Sequence, residues 1–132
     1  MEIKQGVQFK IAKPITDSLI RAFAEVSGDH NPIHLDDEFA EQTRFGRRIA
    51  HGMLSGALIS AVLGNEFRDM KIVYLSQTMR FMAPVFIDDV LTVTATVTDV
   101  RESKGIVTLE TTCINQDDVV TLTGEAKVMI LP

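Results

Sequence analysis

From residue 91 to residue 130 the chain repeatedly alternates apolar with polar side chains, and this period of two restricts the fold more than any other feature. Leu91, Val93, Ala95 and Val97 alternate with Thr92, Thr94, Thr96 and Thr98. Val107, Leu109, Thr111 and Cys113 alternate with Thr108, Glu110 and Thr112. Val120, Leu122, Gly124, Ala126, Val128 and Ile130 alternate with Thr121, Thr123, Glu125 and Lys127. Successive side chains of a strand point to opposite faces, so each run predicts a strand with one buried face. The connections around Glu102–Gly105 and Asn115–Asp118 are short and carry turn residues, which predicts antiparallel pairing. Ile72 to Met82 is a longer and less regular candidate. Its alternate positions Ile72, Tyr74 and Met82 predict a face covered by a partner subunit. Gln8 to Ile11 is a further short strand candidate.

Before residue 70 the pattern is helical. Thr16 is placed to cap a helix carrying Leu19, Ile20, Phe23, Ala24 and Val26, which Gly28 ends. Asp29 to Leu35 reads as a loop, because Pro32 biases Asn31 away from the helical region. Asp36 or Asp37 caps a short helix through Gln42. Gly52 to Glu66 is a long helix. Met53, Leu54, Ala57, Leu58, Ala61 and Val62 form one stripe, and the other side is small or apolar rather than charged. A helix with almost no charge around it is expected to be buried. Helices first and strands after make an α+β pattern, with a curved antiparallel sheet around the long helix.

A length of 132 residues fits one domain, spanning 1–132. The net charge of −5 argues against general nucleic-acid binding, which needs a basic face. The single cysteine, Cys113, cannot form an internal disulfide. The N-terminus lacks an apolar signal core, and the longest apolar stretch, Met53 to Leu63, falls short of the roughly 20 residues a membrane helix takes. The expected location is the cytoplasm, with no membrane association.

All three histidines, His30, His34 and His51, fall within 22 residues. In Asp29-His30-Asn31-Pro32-Ile33-His34 a proline-stiffened loop holds a carboxylate five residues from an imidazole. Such a pair can orient a water molecule and exchange a proton with it. The same groups could instead cap turns and fill the core. A zinc site is the weaker reading, since the spacing is not a helical pair and no cysteine is near. No metal and no cofactor are expected.

The run closely resembles the MaoC-like, (R)-specific enoyl-CoA hydratases of hotdog fold, whose signature contains D-x-N-P-[IVL]-H. The matching positions are Asp29, Asn31, Pro32, Ile33 and His34. Ile49-Ala50-His51-Gly52-Met53-Leu54 matches the I-x-H-G-M-L step into the central helix, and the likeness extends over nearly the whole chain. The resemblance implies a hotdog fold, in which a sheet wraps a central helix, and a homodimer. The chain's length is that of the single-hotdog, polyhydroxyalkanoate-linked type. The implied reaction is reversible hydration of a trans-2-enoyl-CoA to the (R)-3-hydroxyacyl-CoA.

On that resemblance Asp29 takes the proton of the attacking water and His34 holds the same water. Gly52 opens the central helix, so its N–H is the candidate donor to the thioester oxygen. Asn31, Ser60, Arg47, Arg48 and Met53 are expected at the substrate. Arg47 and Arg48, with Arg44, would meet the phosphates of CoA, although a solvated basic surface is the competing reading. Met53, Leu54 and the strand from Met79 to Met82 would line the acyl tunnel. His51 is expected only to set the entry into the helix. A hotdog thioesterase is disfavoured by the intact D-x-N-P-x-H and H-G-M pattern, and two other functions fit the same chemistry or fold. One is a 3-hydroxyacyl-ACP dehydratase, acting on an acyl-ACP thioester. The other is a non-catalytic acyl-CoA-binding subunit, which the presence of both Asp29 and His34 disfavours.

Overall fold

The alternating runs form one sheet. In the computed structural model, residues 2–132 are described. The elements are β1 (Gln8–Pro14), α1 (Asp17–Ser27), α2 (Pro32–Leu35), α3 (Asp37–Glu41), α4 (Gly52–Glu66), β2 (Ile72–Phe81), β3 (Val90–Arg101), β4 (Ile106–Ile114) and β5 (Val120–Ile130). The strands stand in the order β1-β3-β4-β5-β2, and every pair is antiparallel. Leu91, Val93, Ala95 and Val97 on β3, Val107, Leu109 and Cys113 on β4, and Leu122, Ala126 and Val128 on β5 are all buried. They meet Leu54, Leu58, Ile59, Val62 and Leu63 of α4 in one core. Shortening Leu109 or Ile59 to alanine there would cost about 2–5 kcal/mol. This is the hotdog arrangement that the resemblance implies.

α1 begins and ends where its caps predict. The Thr16 hydroxyl accepts from the N–H of Leu19, and Gly28 closes the helix with φ 80°. Two expectations change. The segment 29–35 is not wholly loop, because Pro32 starts the single turn α2. Asn31 is extended, as a residue before proline should be, but proline itself suits the first helical position, where no N–H is needed.

The second change is the orientation of α4. Leu54, Ser55, Leu58, Ile59, Val62 and Leu63 face the sheet, while Met53, Ala57 and Ser60 are exposed. The expected stripe mixed the two faces, and the helix is buried on one side only within this chain.

β2 is irregular because its register with β5 shifts between Tyr74 and Ser76. Val73, Tyr74 and Leu75 are consequently all exposed, while Ile72 packs against the core and Met82 lies beyond the strand end. The approach of β2 to β5 requires a glycine. A Cβ at Gly124 would stand 1.9 Å from the carbonyl oxygen of Thr78. Among the described residues, no helix is long and apolar enough to cross a membrane.

Candidate active site

Local hydrogen bonds carry the chain from the end of α1 to His34. The Ser27 hydroxyl accepts from the N–H of Asp29 at 3.1 Å. Asp29 Oδ1 accepts from the N–H of Asn31 at 3.2 Å. Asn31 Oδ1 accepts from the N–H of Ile33 at 3.2 Å and so caps α2. Asn31, expected at the substrate, thus also shapes the loop through its side-chain oxygen.

His34, at the end of α2, is buried. Its Nδ1 lies 2.7 Å from the carbonyl oxygen of Ile49. A carbonyl only accepts, so the ring donates from Nδ1 and keeps a lone pair on Nε2. Burial pushes the His34 pKa below 6.5; the bond to Ile49 opposes this, neighbouring His51 adds to it, and Asp29 opposes it. The ring is therefore neutral at pH 7. Its neighbour His51 stacks on it at 3.9 Å between ring centroids. Single ligand-type atoms of Asp29, His34 and His51 lie within 4.8 Å of one another. One water can span such a gap with two hydrogen bonds of about 2.8 Å. The two imidazoles are stacked with 29° between their planes, and each has one ring nitrogen engaged by a backbone carbonyl.

Beside this group is a cavity of about 350 Å³. His34, His51, Gly52, Ser55, Phe81, Met82, Val85 and Arg44 are among the residues that line it. Gly52 is the first residue of α4, so its N–H has no intrahelical acceptor and lies at the positive end of the helix. A Cβ at Gly52 would meet the Phe81 ring at 2.9 Å. Glycine thus lets that ring close over the helix start.

None of the five expected substrate residues, Asn31, Ser60, Arg47, Arg48 and Met53, lines the cavity, and Asp29 stands at its side rather than in its wall. Met53 is 56% exposed and does not line the cavity. Ser60 lies on the same outward face of α4, and the polar residue of that helix in the cavity is Ser55. Arg48 is only 8% exposed, and its guanidinium is engaged by Asp17 and Asp37 at 2.8 Å each. It also donates to the carbonyl oxygen of His34 at 3.3 Å. Burial works against its charge, but the two carboxylates outweigh it and hold its pKa up. Arg48 therefore ties α1, α3 and the His34 turn together and has no donor fork free for a phosphate. Arg47 stays exposed, with its guanidinium 3.7 Å from the centre of the Phe86 ring, and Arg44 lies at the cavity. Phe81 and Met82 line the cavity as expected of that strand; Leu54 is core.

The sequence-based site omitted His51 and Ser55. Ser55 shares the inward face with Leu58, Ile59 and Val62, a signal hidden by the apolar outer face. His51, in the I-x-H-G-M-L step, was expected only to set the entry into the helix, and its sequence neighbours give no sign of the stack on His34.

The family model described as "MaoC like domain" matches residues 1–119. The chain belongs to the MaoC-like family. It is 45% identical to an (R)-specific enoyl-CoA hydratase of Rhodospirillum rubrum, over 98% of this chain and 89% of that protein. It is 43% identical to a 3-hydroxybutyryl-CoA dehydratase of Methylorubrum extorquens, over 98% of this chain and 82% of the other. Among solved structures, an (R)-hydratase from Aeromonas caviae involved in PHA biosynthesis superposes with a TM-score of 0.92 at 40% identity. That match covers 98% of both chains.

Proposed function

We propose that this MaoC-like protein is a hydro-lyase that reversibly hydrates trans-2-enoyl-CoA to (R)-3-hydroxyacyl-CoA, with Asp29, His34 and Gly52 as its catalytic groups. The single observation that supports the residue roles is the closeness of Asp29 and His34, with ligand-type atoms within 4.8 Å of each other, beside a cavity that His34 and Gly52 line. The Asp29 carboxylate and the Nε2 lone pair of His34 are both acceptors. A water donating to both has its own lone pair directed outward, at C3 of the enoyl group. Asp29 takes one proton as the C3–O bond forms. The thioester oxygen gains negative charge as the enolate forms, and the N–H of Gly52 stabilises it. The proton then passes from the pair to C2, so that one water is added and the pair is restored. Mixing the protein with crotonyl-CoA should bleach the absorbance of the conjugated thioester. No bleaching with folded protein would overturn the reading.

In this reading exposed Arg44 and Arg47 would meet the CoA phosphates, while Arg48, held by Asp17 and Asp37, has a structural role. Arg47→Ala should weaken crotonyl-CoA and leave the pantetheine thioester, which lacks the distal phosphates, unaffected. Arg48→Ala should weaken both equally and lower stability by about 2 kcal/mol, since a charged hydrogen-bonded group is lost from a buried site. A fall in melting temperature on the order of 6 °C corresponds to that. Steady-state kinetics on the two substrates, with melting curves, check both statements.

A homodimer is the assembly this surface supports. β2 is an edge strand with unpaired backbone groups, and Val73, Tyr74 and Leu75 on it are exposed. The outward face of α4, with Met53, Ala57 and Ser60, is uncharged as well. A second copy can cover both. Light scattering at low micromolar concentration should give twice the chain mass of 14.6 kDa. A stable, active monomer would contradict the assembly.

A further inference from the structure

The hydration scheme leaves one buried polar group without a role. His51 is 2% exposed, and its Nδ1 has no hydrogen-bond partner among the described residues. Such an atom is costly to bury. Its Nε2 lies 3.0 Å from the backbone carbonyl oxygen of Asp29. The carbonyl only accepts, so Nε2 carries the proton and donates it. One face of the imidazole stacks on His34 at 3.9 Å. Phe23 of α1 packs against it at 5.0 Å. His51 is also the N-cap of α4, one peptide bond before Gly52, and makes no side-chain capping bond there. A single ring thus touches the backbone of Asp29 and the ring of His34, and is covalently next to Gly52.

We propose that His51 is a positioning residue, which holds Asp29 and His34 in register with the N–H of Gly52. This rests on the hydratase reading of the site. Asp29 is exposed, and its bond to Asn31 shapes the loop without fixing it relative to α4. The bond from His51 supplies that missing tie. His34 is anchored at one ring edge by Ile49, which leaves tilting of the ring free, and the stack on His51 restrains it. A misplacement near 1 Å can cost about 10²-fold in rate. A purely apolar filler would restrain the stack but could not donate to Asp29. A side-chain amide could donate but offers a much smaller plane to stack. Imidazole does both, and the unpartnered Nδ1 is the edge left over.

The test compares His51→Ala, His51→Phe and His51→Gln in kcat, KM and melting temperature with crotonyl-CoA. Phenylalanine keeps the ring face, and glutamine keeps a donor. His51→Ala is expected to lower kcat about 10–100-fold, the range for loss of a group that orients a reacting ligand, with KM within about twofold. His51→Phe and His51→Gln should each recover part of the loss while staying below wild type. Four outcomes would overturn the proposal: wild-type kcat in His51→Phe, a loss confined to KM, a kcat loss that follows the unfolded fraction, or no recovery by either variant. An inactive wild type would instead sink the hydratase reading, so the two failures are distinguishable.

Discussion

Asp29→Asn is expected to lower kcat for hydration by about 10²–10⁴-fold, the usual contribution of a positioned general base. The amide has nearly the carboxylate's shape, and its oxygen can still accept from the N–H of Asn31, as Oδ1 of Asp29 does at 3.2 Å. The loop should therefore keep its form. What disappears is the group that takes the proton from water. Asp29 is exposed, so its replacement removes no core packing, and the melting temperature should hardly move. Steady-state kinetics with crotonyl-CoA check the first part and a melting curve the second. A variant with near-normal kcat would remove Asp29 from the role of base.

His34→Gln is expected to reduce kcat by about 10²-fold or more, with little change in KM. Glutamine can donate toward the carbonyl oxygen of Ile49, but its amide oxygen is far less basic than Nε2 and cannot share in the proton transfer. A loss entirely in KM would make His34 a binding residue instead. The wild-type pH profile supplies a second check. Burial depresses the pKa of His34 below 6.5. Protonation removes the Nε2 lone pair, so the acid-side decline of kcat/KM should come at lower pH than for an ordinary imidazole. Stability follows the same sign. The unfolded chain binds the proton more readily than the folded one, so this group favours the fold fully above 6.5. That contribution is lost as pH falls from 6.5 through the depressed folded value.

The parts of the fold that local chemistry specifies were legible. Thr16 and Gly28 bracket α1, and the threonine-rich alternation of β3 marks a sheet with one buried face. β2 was less so, because its register shift breaks the period and leaves Val73 to Leu75 exposed together. The inward face of α4 was not legible. With no charge on either side, periodicity cannot tell a face packed on the sheet from one left open. Arg48 shows the limit for the site. Its partners Asp17 and Asp37 lie 31 and 11 residues away in sequence, so nothing nearby distinguishes it from exposed Arg47. The motif singled out Asp29, His34 and Gly52 as candidates, but the ring of His51 gains its contacts only when α2 and α4 meet.

The central claim is that Asp29 and His34 share one water against a thioester held at Gly52. Two acceptors on one water stand on one face of the enoyl group, so the hydroxyl and the proton must arrive from that face. Hydrating crotonyl-CoA in heavy water and resolving the product by chiral analysis and by the position of deuterium at C2 tests this directly. The account predicts (R)-3-hydroxybutyryl-CoA formed by syn addition; an (S) product or anti addition would contradict it.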